Sequence, residues 1–218
     1  MSKVVSDEEK VALLEKGRYF EAILYPENLI EDWQEEISDL VQVPFCYCIH
    51  DKDLNKEKKE ERKAHVHIVL AFSNTTTRRY AFTVFSKLQA EGKQAFAYGG
   101  IGGVQVISNI RHMYDYLIHD TNECRKKRKH LYSADERISG NNFDIGMYEQ
   151  LSVVDEQQMR NEITNLIYEK QITNFLTLRL EIQNNYESKY EKVLTSHSSM
   201  FERCTKGMYQ ILVNKGEV

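Results

Sequence analysis

Residues 64–72 read "AHVHIVLAF", an apolar run headed by two histidines one residue apart. A run of this length and character is a strand made for burial. Side chains alternate faces along a strand, so His65 and His67 point one way and Val66 and Ile68 the other. Whatever fold the chain adopts must bury this strand while aiming two imidazoles at one side.

The neighbouring segments show what the strand can pack with. "RYFEAILYP" (18–26) is a strand closed by Pro26, and "LIEDWQEEISDL" (29–40) a helix with Ile30, Trp33, Ile37 and Leu40 on one face. "VPFCYCIH" (43–50) is a second strand. Residues 51–63 form a polar loop with six basic and five acidic side chains and nothing to bury. After the 64–72 strand, the pattern predicts a helix over 78–92 ended by Gly92. A glycine-rich turn then leads into a short strand (98–107). A helix over 108–120 follows, with Ser108 or Asn109 able to cap it. The β-α-β-β-α-β order fits an α+β, ferredoxin-like antiparallel sheet.

From about residue 143 the character changes. Residues 155–214 hold no proline and one glycine, and Met159, Ile163, Leu166 and Ile167 recur at helical spacing. The segment 172–182 alternates more but is also read as helix. "ISGNNFDIG" (138–146) looks like the joint. The expected division is a domain over 1–142 with its core from about 17, a hinge at 143–150 and an all-helical domain over 151–218.

Charge is distributed unevenly. The chain carries net −4, but residues 1–44 carry −7, residues 45–142 carry +6 and residues 143–218 carry −3. A polyanion would meet the middle of the chain. No apolar run approaches the length of a membrane span, and "MSKVVSDEEKVALLEKG" has no unbroken signal-peptide core. Four cysteines without a CxxC pair suit a reducing compartment, so a cytoplasmic protein with no membrane partner is expected.

The second strand ends "CIHDKD" (48–53). If it lies antiparallel beside 64–72, then His50, Asp53, His65 and His67 converge. Three imidazoles and a carboxylate can grip one cation, with Mn²⁺ well matched and Mg²⁺, Co²⁺ or Zn²⁺ also suited. Asp51 competes with Asp53. Each motif alone has a plainer reading: a hydrogen-bonded histidine pair, and a strand-ending turn that Asp favours. Cys46 and Cys48 are read as small core residues.

In "SNIRHMYDYLIHD" (108–120), Ile110, Met113, Tyr114, Leu117 and Ile118 form one helical face and His112, Asp115, Tyr116 and His119 the other. Tyr114 therefore reads as packing and Tyr116 as the tyrosine that projects among polar groups. A cation beside a free phenol has one economical use. The cation draws charge from a phosphodiester while tyrosine attacks phosphorus, giving a phosphotyrosine ester and a 3′-hydroxyl able to prime a polymerase.

"HVH" after a strand ending "IHDKD", then "YDYLIH" on a helix, resembles the HUH endonucleases. More narrowly it resembles the RepB-type initiators of small rolling-circle plasmids from Gram-positive bacteria. "RYFEAILYPENLIEDW", "KKRKHLY" and "NNFDI" extend the likeness over roughly residues 17–148. The resemblance implies a ferredoxin-like origin-binding nuclease domain. His65 and His67 would be the paired metal ligands, and His50 and Asp53 would complete a site that usually takes Mn²⁺ or Mg²⁺. It implies a single nucleophilic tyrosine. The wider group often has Y-x-x-K, which matches Tyr116 better than Tyr114 and puts His119 at the lysine position, as a possible assistant in steering phosphate or tuning the phenol. By analogy the helical tail assembles copies into a ring, commonly a hexamer. The implied partners are plasmid origin DNA, with duplex recognition sites and a single-stranded nick loop, and the host replication machinery of a bacterial cytoplasm.

Arg125, Lys126, Lys127, Arg128 and Lys129 form a basic run that reads as phosphate contacts or as a solvated turn, and Arg78 and Arg79 are a second candidate pair. The glycines at 99–103 do not match a phosphate-loop pattern, so no ATP site is expected. The rival functions are a relaxase or transposase of the same superfamily, a non-catalytic DNA-binding repressor or copy-number regulator, and a metallohydrolase using metal-bound hydroxide.

Overall fold

The apolar strand of the sequence is the middle of a sheet. The computed structural model describes residues 14–55, 60–148 and 151–217. The expectations for the N-terminal segment 1–13, the loop centre 56–59 and residues 149–150 of the hinge lie outside the described residues. The chain divides into two compact units, one ending at Phe143 and one beginning at Asp144.

The first unit holds β1 (Lys16–Leu24), α1 (Trp33–Val41), β2 (Phe45–His50), β3 (His65–Thr77), α2 (Arg78–Ser86), β4 (Val104–Val106), α3 (Ile110–Tyr116), α4 (Asn122–Lys126) and β5 (Arg137–Gly140). The five strands are antiparallel in the order β4-β1-β3-β2-β5. The first four are the ferredoxin-like arrangement, so the fold class agrees with the sequence reading. Alternation then sorts the faces. Phe20, Ala22, Leu24, Phe45, Tyr47, Val66, Ile68, Leu70 and Phe72 form one apolar cluster with Trp33, Ile37 and Val41 of α1 and Val84 and Phe85 of α2. The other face receives Glu21, Cys46, Cys48, His50, His65 and His67.

Several boundaries move. β3 runs on to Thr77 because β1 continues to pair with it, Lys16 opposite Thr77. The helix expected over 78–92 ends at Ser86, and Leu29, expected to be helical, instead bridges Gln89. Residues 138–140, read as the start of a joint, belong to the edge strand β5. There Gly140 faces Phe45 across the ladder, and a Cβ would collide with the Phe45 ring. The loop over 51–63 carries a two-residue ribbon, Leu54–Asn55 against Glu60–Glu61, and buries Asp53 at 4% exposure.

The second unit contains α5 (Ile145–Tyr148), α6 (Val153–Glu169), α7 (Phe175–Asn185), α8 (Ser188–Ser196) and α9 (Ser198–Lys215). Ser152 and Asn174 cap α6 and α7 by accepting backbone N–H bonds, and left-handed Gly216 (φ +70°) closes α9. The alternating segment at 172–182 is helical from Phe175. Leu178 and Ile182 are buried one turn apart, whereas Leu176 and Leu180 face outward. Met159, Ile163, Leu166, Ile167, Val193, Leu194, Phe201, Met208 and Leu212 complete the core. Among the described residues no helix is long and apolar enough to cross a membrane.

Candidate metal and tyrosine site

The register of β2 and β3 places His50 directly opposite His65, with Cys48 opposite His67. Both histidines of β3 and the last residue of β2 therefore share the sheet face away from α1 and α2. Ring centroids are 4.5 Å apart for His50 and His67, 5.3 Å for His50 and His65, and 5.1 Å for His65 and His67. One ligand atom from each lies within 4.8 Å of the others, so this group could hold a metal ion. His50, Asp53 and His119 form a second such group that shares His50.

Hydrogen bonding sets the tautomers. His50 Nε2 donates to the Leu117 carbonyl at 2.7 Å, which leaves Nδ1 as the lone-pair nitrogen. His65 Nδ1 donates to the Lys63 carbonyl at 3.0 Å, and His67 Nδ1 donates to Glu21 Oε1, so each leaves Nε2 bare. Backbone carbonyls and a carboxylate thus hold each ring and raise its basicity, as outer partners of metal-binding histidines do. Burial and the neighbouring imidazoles push His50 down to about 2, and burial keeps His67 well below its ordinary value. Both rings are therefore neutral, the form that binds metal.

Asp53 joins from the loop, its Oδ2 4.0 Å from His50 Nδ1 and its Oδ1 3.5 Å from His119 Nδ1. Among the described residues His50 Nδ1 and Asp53 Oδ1 are buried without a hydrogen-bond partner. An orphaned lone pair beside an orphaned carboxylate oxygen is costly unless a cation sits between them. The donor set therefore fits a metal. Asp51, the competing carboxylate, is exposed. Burial raises the Cys46 and Cys48 thiols, which keeps them protonated and out of a ligand role.

The tyrosines separate clearly. Tyr116 sets its ring edge-on to His67 at 5.5 Å and to His119 at 5.6 Å. Tyr114 instead stacks on Phe143 at 6.0 Å under the Arg137 guanidinium. His119 corrects the helical-face reading, which placed it on the outer side. α3 ends at Tyr116, three residues short of His119, which adopts a left-handed conformation (φ +61°) and is 1% exposed. Its Nδ1 donates to the His130 carbonyl at 2.8 Å. Burial lowers its pKa.

The basic run also divides. Arg125 pairs with Asp120, while Lys126, Lys127 and Arg128 are exposed. Lys129, read as one more phosphate contact, is half-buried and turns toward Tyr116. With Lys52, Arg62 and Arg128 it lines a pocket of about 260 Å³ that reaches Asp53. Arg78 is tied to Glu15 and the Gly102 carbonyl at the start of α2, and Arg79 is exposed beside it; neither joins the histidine cluster.

Two contributors escaped the sequence reading. Glu21 is pushed up to about 7 by burial; the signal for it was an acid inside the apolar strand "FEAIL". Tyr132 stacks on His50 at 4.7 Å, and its hydroxyl accepts the Lys52 backbone N–H at 3.0 Å. No periodicity pointed to it; its only signal was its place at the end of the "KKRKHLY" cluster.

Comparison with known proteins identifies the family. Residues 13–146 match the family described as plasmid replication protein, origin binding domain. The chain is 33% identical over 176 residues to the replication protein RepB of Streptococcus agalactiae, covering 80% of each chain. It is 27% identical over 158 residues to RepB of Lactiplantibacillus plantarum, covering 72% of this chain and 64% of that one. A replication protein of Staphylococcus aureus is 22% identical over 179 residues, covering 82% and 81%. The family match spans every strand of the sheet together with the histidines and Tyr116, and an origin-binding domain makes plasmid origin DNA the partner. The chain belongs to the RepB-type plasmid replication proteins that carry this origin-binding domain.

Proposed function

We propose that the protein starts rolling-circle replication by nicking one strand of its plasmid origin through Tyr116 and can rejoin the strand by the same route. The observation that carries this reading is the convergence of His50, His65 and His67 next to the Tyr116 ring. His50, Asp53, His65 and His67 would hold one divalent cation, best Mn²⁺ with Mg²⁺ or Co²⁺ as substitutes, which would draw charge from the non-bridging oxygens of the scissile phosphate.

The rest falls to the chain. Tyr116 Oη attacks phosphorus, the Oη–P bond forms and the P–O3′ bond breaks with its electron pair on O3′. The phenol proton is released to water and O3′ takes one up. A 5′-phosphotyrosine and a 3′-hydroxyl result, and the hydroxyl is available to a host polymerase. The ester conserves the broken bond, so attack by a 3′-hydroxyl restores the strand. The basic pocket beside Asp53 offers a seat for the single strand, with Arg125 to Arg128 nearby in sequence for backbone phosphates. The helical unit would join copies into a ring such as a hexamer; the exposed Tyr168, Leu176 and Leu180 support such a contact.

The test is labelled single-stranded origin DNA incubated with Mn²⁺ and run on a denaturing gel, with EDTA, Tyr116→Phe and Tyr114→Phe arms. A DNA–protein adduct that needs metal and disappears with Tyr116→Phe alone is expected. Loss only with Tyr114→Phe would move the nucleophile. Cleavage without an adduct would favour a metal-bound hydroxide, and binding without cleavage a regulator.

A further inference from the structure

We propose that Lys129 is a catalytic residue of the tyrosine site: its ammonium, held by His119 Nε2, donates to Tyr116 Oη and stabilises the charge on that oxygen during strand transfer. The proposal rests on the nicking reading above and adds to it a residue that sequence spacing hides, thirteen positions beyond the tyrosine.

The geometry leaves little freedom. Lys129 Nζ lies 3.0 Å from Tyr116 Oη and 3.1 Å from His119 Nε2. An ammonium has three donors and no lone pair, so both partners must accept. His119 can accept at Nε2 because its proton is on Nδ1, the nitrogen bonded to the His130 carbonyl. The histidine is thus gripped by the residue after Lys129 and grips Lys129 in return. Tyr116 Oη accepts one bond, so its own hydrogen must point elsewhere, which leaves the oxygen oriented with a cation at its back.

The backbone is bent to make this contact. His119 (φ +61°) and Arg128 (φ +48°) are both left-handed, a conformation that is strained for a residue carrying a side chain. The Arg128 turn separates exposed Arg125 to Arg128 from inward-facing Lys129, whose N–H is pinned to the Cys124 carbonyl at 3.0 Å. Two such residues holding one hydrogen-bonded pair are hard to explain by DNA-backbone contact, which any lysine on the exposed run could supply.

The role is symmetric. In nicking, Oη bonds to phosphorus and O3′ leaves with the P–O electron pair. In joining, O3′ attacks and Oη leaves with the P–Oη pair. Lys129 keeps its protons in both directions and only donates. Its removal should therefore slow both reactions by a similar factor and leave the nicked-to-joined ratio unchanged. His119 acts through Lys129 and is a positioning residue.

The experiment is single-turnover adduct formation, and rejoining by an added 3′-hydroxyl strand, at saturating origin oligonucleotide with Mn²⁺. Wild type, Lys129→Met and Lys129→Arg are compared, with oligonucleotide affinity and its salt dependence measured in parallel. For Lys129→Met both rates should fall about 100-fold even at saturating oligonucleotide, the scale of a lost transition-state donor, whatever affinity the pocket lining loses. Lys129→Arg should recover part of the loss. A Lys129→Met protein that reacts at the wild-type rate once saturated, but binds more weakly with a salt slope reduced by about one, would make Lys129 a phosphate contact and overturn the proposal. If Lys129→Met does not fold, the lysine ammonium resonance of the wild type, assigned by its loss in Lys129→Arg, should shift in Tyr116→Phe; no shift would overturn it. A wild type that forms no adduct would sink the nicking reading itself, a result distinct from the failure of Lys129 alone.

Discussion

The sheet unit keeps His50, Asp53, His67, His119 and Thr121 all below 7% exposure, whereas Thr205 is the one buried polar residue among the described part of the helical unit. Thr205 is satisfied locally by donating to the Glu202 carbonyl. In the sheet unit, His50 Nδ1 and Asp53 Oδ1 have no such partner; among the described residues of the helical unit the corresponding atom is Arg160 Nε, whose guanidinium is otherwise tied to Gln157. Desolvated polar groups cost stability unless something binds them, while buried aliphatic side chains stabilise wherever they pack. The helical core is therefore organised for holding together. The sheet face opposite α1 and α2 is organised for holding a cation, and that readiness costs stability.

Four measurements would break or sharpen this contrast. The largest effect is expected from His67→Ala, which should abolish metal binding in calorimetry and adduct formation on the gel. In EDTA its stability should suffer less than that of a helical-core variant. A comparable loss would mean the histidine is structural. Next, Leu178→Ala in the helical unit removes a side chain that is fully buried. It should cost about 2–5 kcal/mol in chemical denaturation and leave the metal affinity of the sheet unit unaltered. A drop in metal affinity would deny the two units their independence.

Glu21→Gln is expected to be milder. It keeps the size but weakens the acceptor behind His67 Nδ1, and should cut metal affinity by about 10–100-fold. An unchanged affinity would leave Glu21 as packing.

The smallest effect is in pH. In the metal-free protein, His50, held near 2, and His67, held well below its ordinary value, stay neutral while the unfolded chain protonates both below about 6.5. Glu21, pushed up to about 7, opposes them, because the folded chain keeps a proton that the unfolded chain releases above its ordinary value. His119, whose pKa burial also lowers, acts with His50 and His67, so the unfolded chain is the proton-richer state between about pH 6.5 and 5. Stability in EDTA should then fall as pH drops from about 6.5 to 5. Denaturant titrations in EDTA across that range would read it, and a flat profile would mean the cluster is hydrated rather than desolvated.

Much of the site is legible in the chain itself. Alternation in "AHVHIVLAF" puts His65 and His67 on one face, and a turn-ending "IHDKD" offers His50 and Asp53 to it. The helical period separates Tyr116 from Ile110, Met113 and Leu117. It fails at His119, because a period describes a face only while the helix lasts, and α3 stops at Tyr116. It fails again at β5, where four residues with a glycine make too short a pattern to distinguish a strand from a joint.

The sequence by itself determined the order and kind of the elements and the pairing of the two histidines, since these follow from periodicities of two and 3.6 residues written along the chain. Only the tertiary structure decided that Glu21 stands behind His67, that Tyr132 stacks on His50, and that Lys129 leaves an exposed basic run to reach Tyr116. Those contacts join residues that lie far apart along the chain, Tyr132 and His50 most of all. They depend on strand register and on two left-handed turns, and neither register nor a turn's direction is recorded in the local pattern of apolar and polar residues.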